Sequence, residues 1–91
     1  MSKRILVVED QEDNRRILRD LLTSVGYEVL EAVRGDDGVA VAEKELPDLI
    51  LMDIQLPGID GYEATRRIRA IDALTATPII AVTSYALSGD D

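Results

Sequence analysis

The chain has 91 residues, 46% of them hydrophobic, and a formal net charge of -8, which is one small domain with enough apolar material for a core and a poor electrostatic match for nucleic acid or an anionic membrane. Cys and His are both absent, which excludes disulfides, thiolate sites, Ser-His or Cys-His catalysis and any phosphohistidine on this chain. Phe and Trp are also missing, so the core is left to Ile, Leu, Val and Ala.

Arg4-Ile5-Leu6-Val7-Val8 is a β-branched-rich run that reads as the first strand, and it ends in Glu9-Asp10. Ile17, Leu18, Leu21, Leu22 and Val25 then recur with helical spacing, while Arg15, Arg16, Arg19 and Asp20 take the other side. Glu12 and Asp13 suit the helix N-terminus and Gly26 its stop. Tyr27 to Ala32 reads as the second strand. A short helix from about residue 37 is expected to carry Val39, Ala42 and Leu46 inward and to close at Pro47. Leu49-Ile50-Leu51-Met52 is an apolar run that ends in a carboxylate, Asp53, and is followed by the Pro57-Gly58 turn. Such a run reads as a strand buried on both faces. Its charge must sit at the strand's C-terminal end, because burying it within the run would cost too much desolvation. Asp60 and Glu63 have the spacing of a capping box, with Tyr62, Ala64, Ile68 and Ile71 loosely periodic behind them and Arg66, Arg67 and Arg69 on a solvated face. Ile79 to Val82 is the fourth strand, ending at Thr83-Ser84.

The order β-α-β-α-β-α-β predicts a parallel sheet with helices on both faces and right-handed crossovers. The carboxyl ends of the strands then share one rim, where ligands bind in open α/β sheets. Glu9, Asp10, Asp53, Thr83 and Ser84 converge there. Like charges about 5 Å apart cost roughly 3 kcal/mol per pair at an effective dielectric near 20, so such a site is expected to hold a cation. Oxygen ligands without His or Cys suit Mg2+ best. A carboxylate beside that ion has the chemistry to attack phosphorus and form an acyl phosphate, with the Thr83 hydroxyl and backbone N–H groups available to phosphoryl oxygens. Asp10-Gln11-Glu12-Asp13-Asn14 is not a calcium loop, since Arg15 and Leu21 stand where Gly and Glu are needed. Gly35-Asp36-Asp37-Gly38 and Gly58-Ile59-Asp60-Gly61 are too short for a P-loop or dinucleotide fingerprint.

Val7-Val8-Glu9-Asp10, Leu51-Met52-Asp53-Ile54-Gln55-Leu56-Pro57-Gly58-Ile59-Asp60-Gly61 and Thr83 together resemble the receiver domain of two-component response regulators, over all 91 residues. The resemblance implies a flavodoxin-like three-layer α/β/α fold with strand order 2-1-3-4. It implies that Asp53 accepts a phosphoryl group from a histidine kinase or histidine phosphotransfer protein. Asp10 would ligate Mg2+ directly, Glu9 through water and Gln55 through its backbone carbonyl, with Asp53 also at the ion. Thr83 would bind the phosphoryl group and act as the switch. No turnover enzyme is implied, only autophosphorylation and dephosphorylation of the domain itself.

Family members continue with a complete fourth helix, a fifth strand ending in Lys and a last helix, which have no match here; Lys3 and Lys44 are misplaced to substitute for that Lys. The expectation is a single domain, 1–91, incomplete at its C-terminus, in a cytoplasmic setting: the apolar runs are too short to span a bilayer, and a first strand near residue 4 leaves no room for a signal peptide. The alternative to a phosphoacceptor switch is a fragment without signalling competence that forms a homo-oligomer through an exposed fourth strand. A metal-dependent phosphatase with an Asp nucleophile would carry a second Asp two positions on, where this chain has Gln55.

Overall fold

The computed structural model describes residues 2–82. Four strands, β1 (Arg4–Val8), β2 (Glu28–Ala32), β3 (Leu49–Asp53) and β4 (Ile79–Val82), alternate with three helices, α1 (Glu12–Ser24), α2 (Gly35–Glu45) and α3 (Gly61–Arg69). All strand pairs are parallel, in the order β2-β1-β3-β4. This is the expected flavodoxin-like arrangement.

Alternation along the two central strands explains the layering. Leu6 and Val8 of β1, with Ile50 and Met52 of β3, face the side covered by α2 and α3, where Ala42, Ala64 and Ile68 complete a buried cluster. Ile5 and Val7 face the other side and pack on Leu18 of α1, with Leu22, Leu49 and Leu51 around them. The small residues on α2 and α3 let those helices approach the sheet closely.

Several local expectations needed correction. In α1 only Leu18 is buried among the apolar residues and Leu22 partly so, whereas Ile17, Leu21 and Val25 are exposed. The turn facing the sheet is Asn14-Leu18-Leu22, at i, i+4 spacing, and the second apolar stripe lies one position round the helix. The second strand begins at Glu28 and not at Tyr27, and α2 begins at Gly35. Leu46 is exposed because it caps α2 in the left-handed region, φ +51°, which turns its side chain away from the inward stripe. Tyr62 is exposed as well. A 3-10 turn at Asp72–Leu74, absent from the periodicity, buries Leu74 against the α3 side of the core. Arg69 is not simply solvated: its Nη1 donates to the carbonyls of Leu74, Thr75 and Thr77 and ties that turn to the end of α3.

Half of the capping box forms. Asp60 Oδ1 accepts the Glu63 N–H at 2.9 Å, but the Glu63 carboxylate turns outward to Arg66 and Arg67. Those two guanidinium groups hold it below the usual carboxylate range. Asp60→Ala should therefore cost about 1 kcal/mol, read as a fall of roughly 4–8 °C in thermal midpoint.

Candidate functional site

The strand register builds the site. Val8 pairs with Met52, so the next residues, Glu9 and Asp53, emerge level with each other at the carboxyl rim. The Glu9 N–H extends the ladder by donating to the Ala32 carbonyl at 3.0 Å. Asp10 follows as the chain turns toward α1. Glu9, Asp10 and Asp53 each offer a carboxylate oxygen, and these atoms lie within 4.8 Å of one another. Glu9 and Asp53 are only 1% and 2% exposed, and Asp10 is the most open of the three.

Local backbone geometry holds the two buried groups in the same way. Glu9 Oε2 accepts the Gln11 N–H at 3.0 Å and Asp53 Oδ1 accepts the Gln55 N–H at 3.2 Å, each from two residues on. At Asp53 this is an Asx turn; Glu9, on the neighbouring strand, makes the same contact two residues on with a side chain one carbon longer. The loop after Asp53 is fitted tightly against it. The Gly61 N–H donates to the Ile54 carbonyl at 2.9 Å. A Cβ at Gly61 would press into the Asp53 carbonyl and come within 2.8 Å of the Ile54 Cα. Only glycine allows α3 to start so close to the site.

The electrostatics follow from burial. The Glu9 carboxyl is pushed up to about 7, chiefly by burial; the Gln11 N–H opposes this, while the charges of Asp53 and Asp10 and a hydrogen bond with the Asp53 side chain add to it. A carboxyl raised in the folded state binds more protons there than in the unfolded chain. Its contribution is therefore full below about pH 4.5 and is lost as pH rises toward 7. In metal-free buffer, urea melts should show stability falling by about 2–3 kcal/mol across that window. Glu9→Gln should flatten this part of the slope.

Of the predicted site residues, Glu9, Asp10 and Asp53 are brought together. Gln55 adjoins them through its backbone. Thr83 and Ser84 lie outside the described residues. The sequence reading missed Arg15, assigned there to the solvated side of α1. Its side chain is only 17% exposed, and Nη1 donates to the Glu9 carbonyl at 3.0 Å while Nε meets Glu31 Oε1 at 3.0 Å. No signal in the sequence marked it, because the inward face of α1 is fixed by the packing of Leu18 against the sheet.

The chain matches the family model described as "Response regulator receiver domain" over residues 5–90. It belongs to the response regulator receiver family. The polar-differentiation response regulators DivK of Brucella anthropi and Brucella ovis are 43% and 42% identical to it over 91 residues, all of this chain and 74% of each relative. The receiver domain of the sensor histidine kinase PA1611 from Pseudomonas aeruginosa superposes with a TM-score of 0.89 at 44% identity, covering 99% of this chain and 74% of that one. That neighbour has a magnesium ion coordinated in its active-site cleft. The chemotaxis response regulator CheY4 of Vibrio cholerae gives a TM-score of 0.87 at 30% identity, covering 89% of this chain and 68% of that one. Among the described residues of this receiver, no helix is long and apolar enough to cross a membrane.

Proposed function

We propose that this receiver accepts a phosphoryl group on Asp53 from a histidine kinase or histidine phosphotransfer protein, in a Mg2+-dependent step, and passes the signal on by a conformational change in a cytoplasmic setting. The observation that carries the reading is the convergence of three carboxylates, two of them buried, within 4.8 Å. At that separation each ionised pair costs about 3 kcal/mol at an effective dielectric near 20. The donor set is all oxygen, which fits Mg2+. Asp10 and Asp53 would hold the ion directly, Glu9 through water, and Gln55 through its backbone carbonyl. The bound ion would neutralise the cluster and the incoming phosphoryl oxygens.

The chain's own part is positioning. The Gln55 N–H fixes one Asp53 oxygen. A carboxylate oxygen of Asp53 would attack phosphorus: an O–P bond forms, the P–N bond to the donor's imidazole breaks, and that nitrogen keeps the electron pair and takes a proton. Thr83 would bind the transferred group and report its arrival. Incubation of the protein with Mg2+ and acetyl phosphate, read by intact mass and peptide mapping, should show one phosphoryl group on Asp53. A folded protein that acquires none, or acquires it elsewhere, would overturn the assignment.

A second reading, self-association through β4, draws on one observation: among the described residues β4 pairs only with β3, and Ile80 on it is 49% exposed. Light scattering should then show a dimer or larger species at high micromolar concentration, and a folded monomer would exclude it.

A further inference from the structure

We propose that Arg15 is a positioning residue for the acidic cluster, acting through the Glu9–Asp10 peptide. The proposal rests on the reading of that cluster as a Mg2+ site. The Glu9 N–H makes the last ladder bond of β1, to the Ala32 carbonyl; the Glu9 carbonyl and Asp10 come after it, as the chain turns from the rim toward α1. Their shared peptide is planar, so the Glu9 carbonyl, the Asp10 nitrogen and the two Cα atoms move as one unit. Both carboxylates project from the ends of that unit. Holding its carbonyl therefore sets where both stand relative to Asp53.

Arg15 holds it. The guanidinium donates from Nη1 to the Glu9 carbonyl and from Nε to Glu31 Oε1, both at 3.0 Å. Glu31 immediately precedes Ala32, whose carbonyl accepts the Glu9 N–H. The two contacts thus tie the Glu9 peptide to α1 and to β2 at once. Only a rigid fork can grip a carbonyl and a carboxylate in this way, so lysine is not equivalent. Arg19 supplies a control: it reaches Glu31 Oε2 at 3.4 Å without such a contact to Glu9. Outer contacts of this kind that orient metal ligands alter metal affinity about tenfold or more when removed.

The test compares wild type, Arg15→Met, Arg15→Lys and Arg19→Met in the full chain. Mg2+ affinity is measured by calorimetry, and the Asp10 and Gln11 amide resonances by NMR in metal-free buffer. Arg15→Met should weaken Mg2+ binding about tenfold and shift the Asp10 amide. Arg15→Lys should recover part of both, and Arg19→Met should change neither. Unchanged affinity and an unmoved Asp10 amide in folded Arg15→Met would overturn the proposal, as would equal effects of Arg19→Met. If wild type itself binds no Mg2+, the functional reading fails, and the metal-free amide shifts still decide whether Arg15 sets the peptide. Should Arg15→Met not fold, Arg15→Lys carries the comparison, and an unmoved Asp10 amide there counts against it.

Discussion

In Asp53→Asn, phosphoryl incorporation is expected to fall below detection while the domain stays folded and, in metal-free buffer, gains about 2 kcal/mol of stability. The amide has nearly the carboxylate's shape and still offers an oxygen to the Gln55 N–H. It lacks the charge that repels Glu9 and Asp10, and it is too weak a nucleophile to take phosphorus. The two effects run in opposite directions, which separates a lost site from a lost fold. Intact mass after incubation with acetyl phosphate and Mg2+ reads the first, and urea melts with and without Mg2+ read the second. An adduct that survives the substitution would place the acceptor elsewhere. A variant less stable than wild type in metal-free buffer would mean that the three acids do not strain the fold.

Gly61→Ala is expected to destabilise by about 3 kcal/mol or more, because overpacking here is against backbone. The added methyl meets the Asp53 carbonyl and the Ile54 Cα, neither of which can rotate aside. The start of α3 must back away, and the Asp60 cap and the Asp53 end of β3 must shift with it. Thermal melting should fall by roughly 15 °C. Gly26→Ala makes the useful contrast. Gly26 has φ +96° but nothing within 4 Å of an added Cβ, so only backbone strain of about 1 kcal/mol is expected. Similar losses from the two substitutions would contradict the close approach of α3 to the site.

The strands were legible because β1 and β3 are short apolar runs that stop at acids, and that coincidence also marks the rim. Parallel topology puts Glu9 and Asp53 on one rim, and the strand order implied by the receiver resemblance makes β1 and β3 neighbours, so the cluster could be read before any coordinates were considered. Residues whose role depends on which face of a helix is inward were not legible. In α1 the pairs Leu18-Leu22 and Ile17-Leu21 both recur with helical spacing, and periodicity alone could not tell which of them faces the sheet. Arg15 went with the wrong side for the same reason. Leu46 was misread because a left-handed cap breaks the helical stripe at its last residue. Leu74 was missed because a 3-10 turn is too short to carry a period. The roles of Thr83 and of the Gln55 carbonyl rest on the family motif, not on a contact seen among the described residues.

The most direct test of the three-acid site is the rate of phosphoryl incorporation into Asp53 as a function of Mg2+ concentration, in wild type and in Asp10→Asn. The expected result is a saturable requirement for Mg2+ in wild type and a curve displaced by about tenfold or more in the variant, in line with the loss of a ligand from a divalent site. Incorporation that proceeds equally well without Mg2+, or a curve that Asp10→Asn leaves in place, would contradict it.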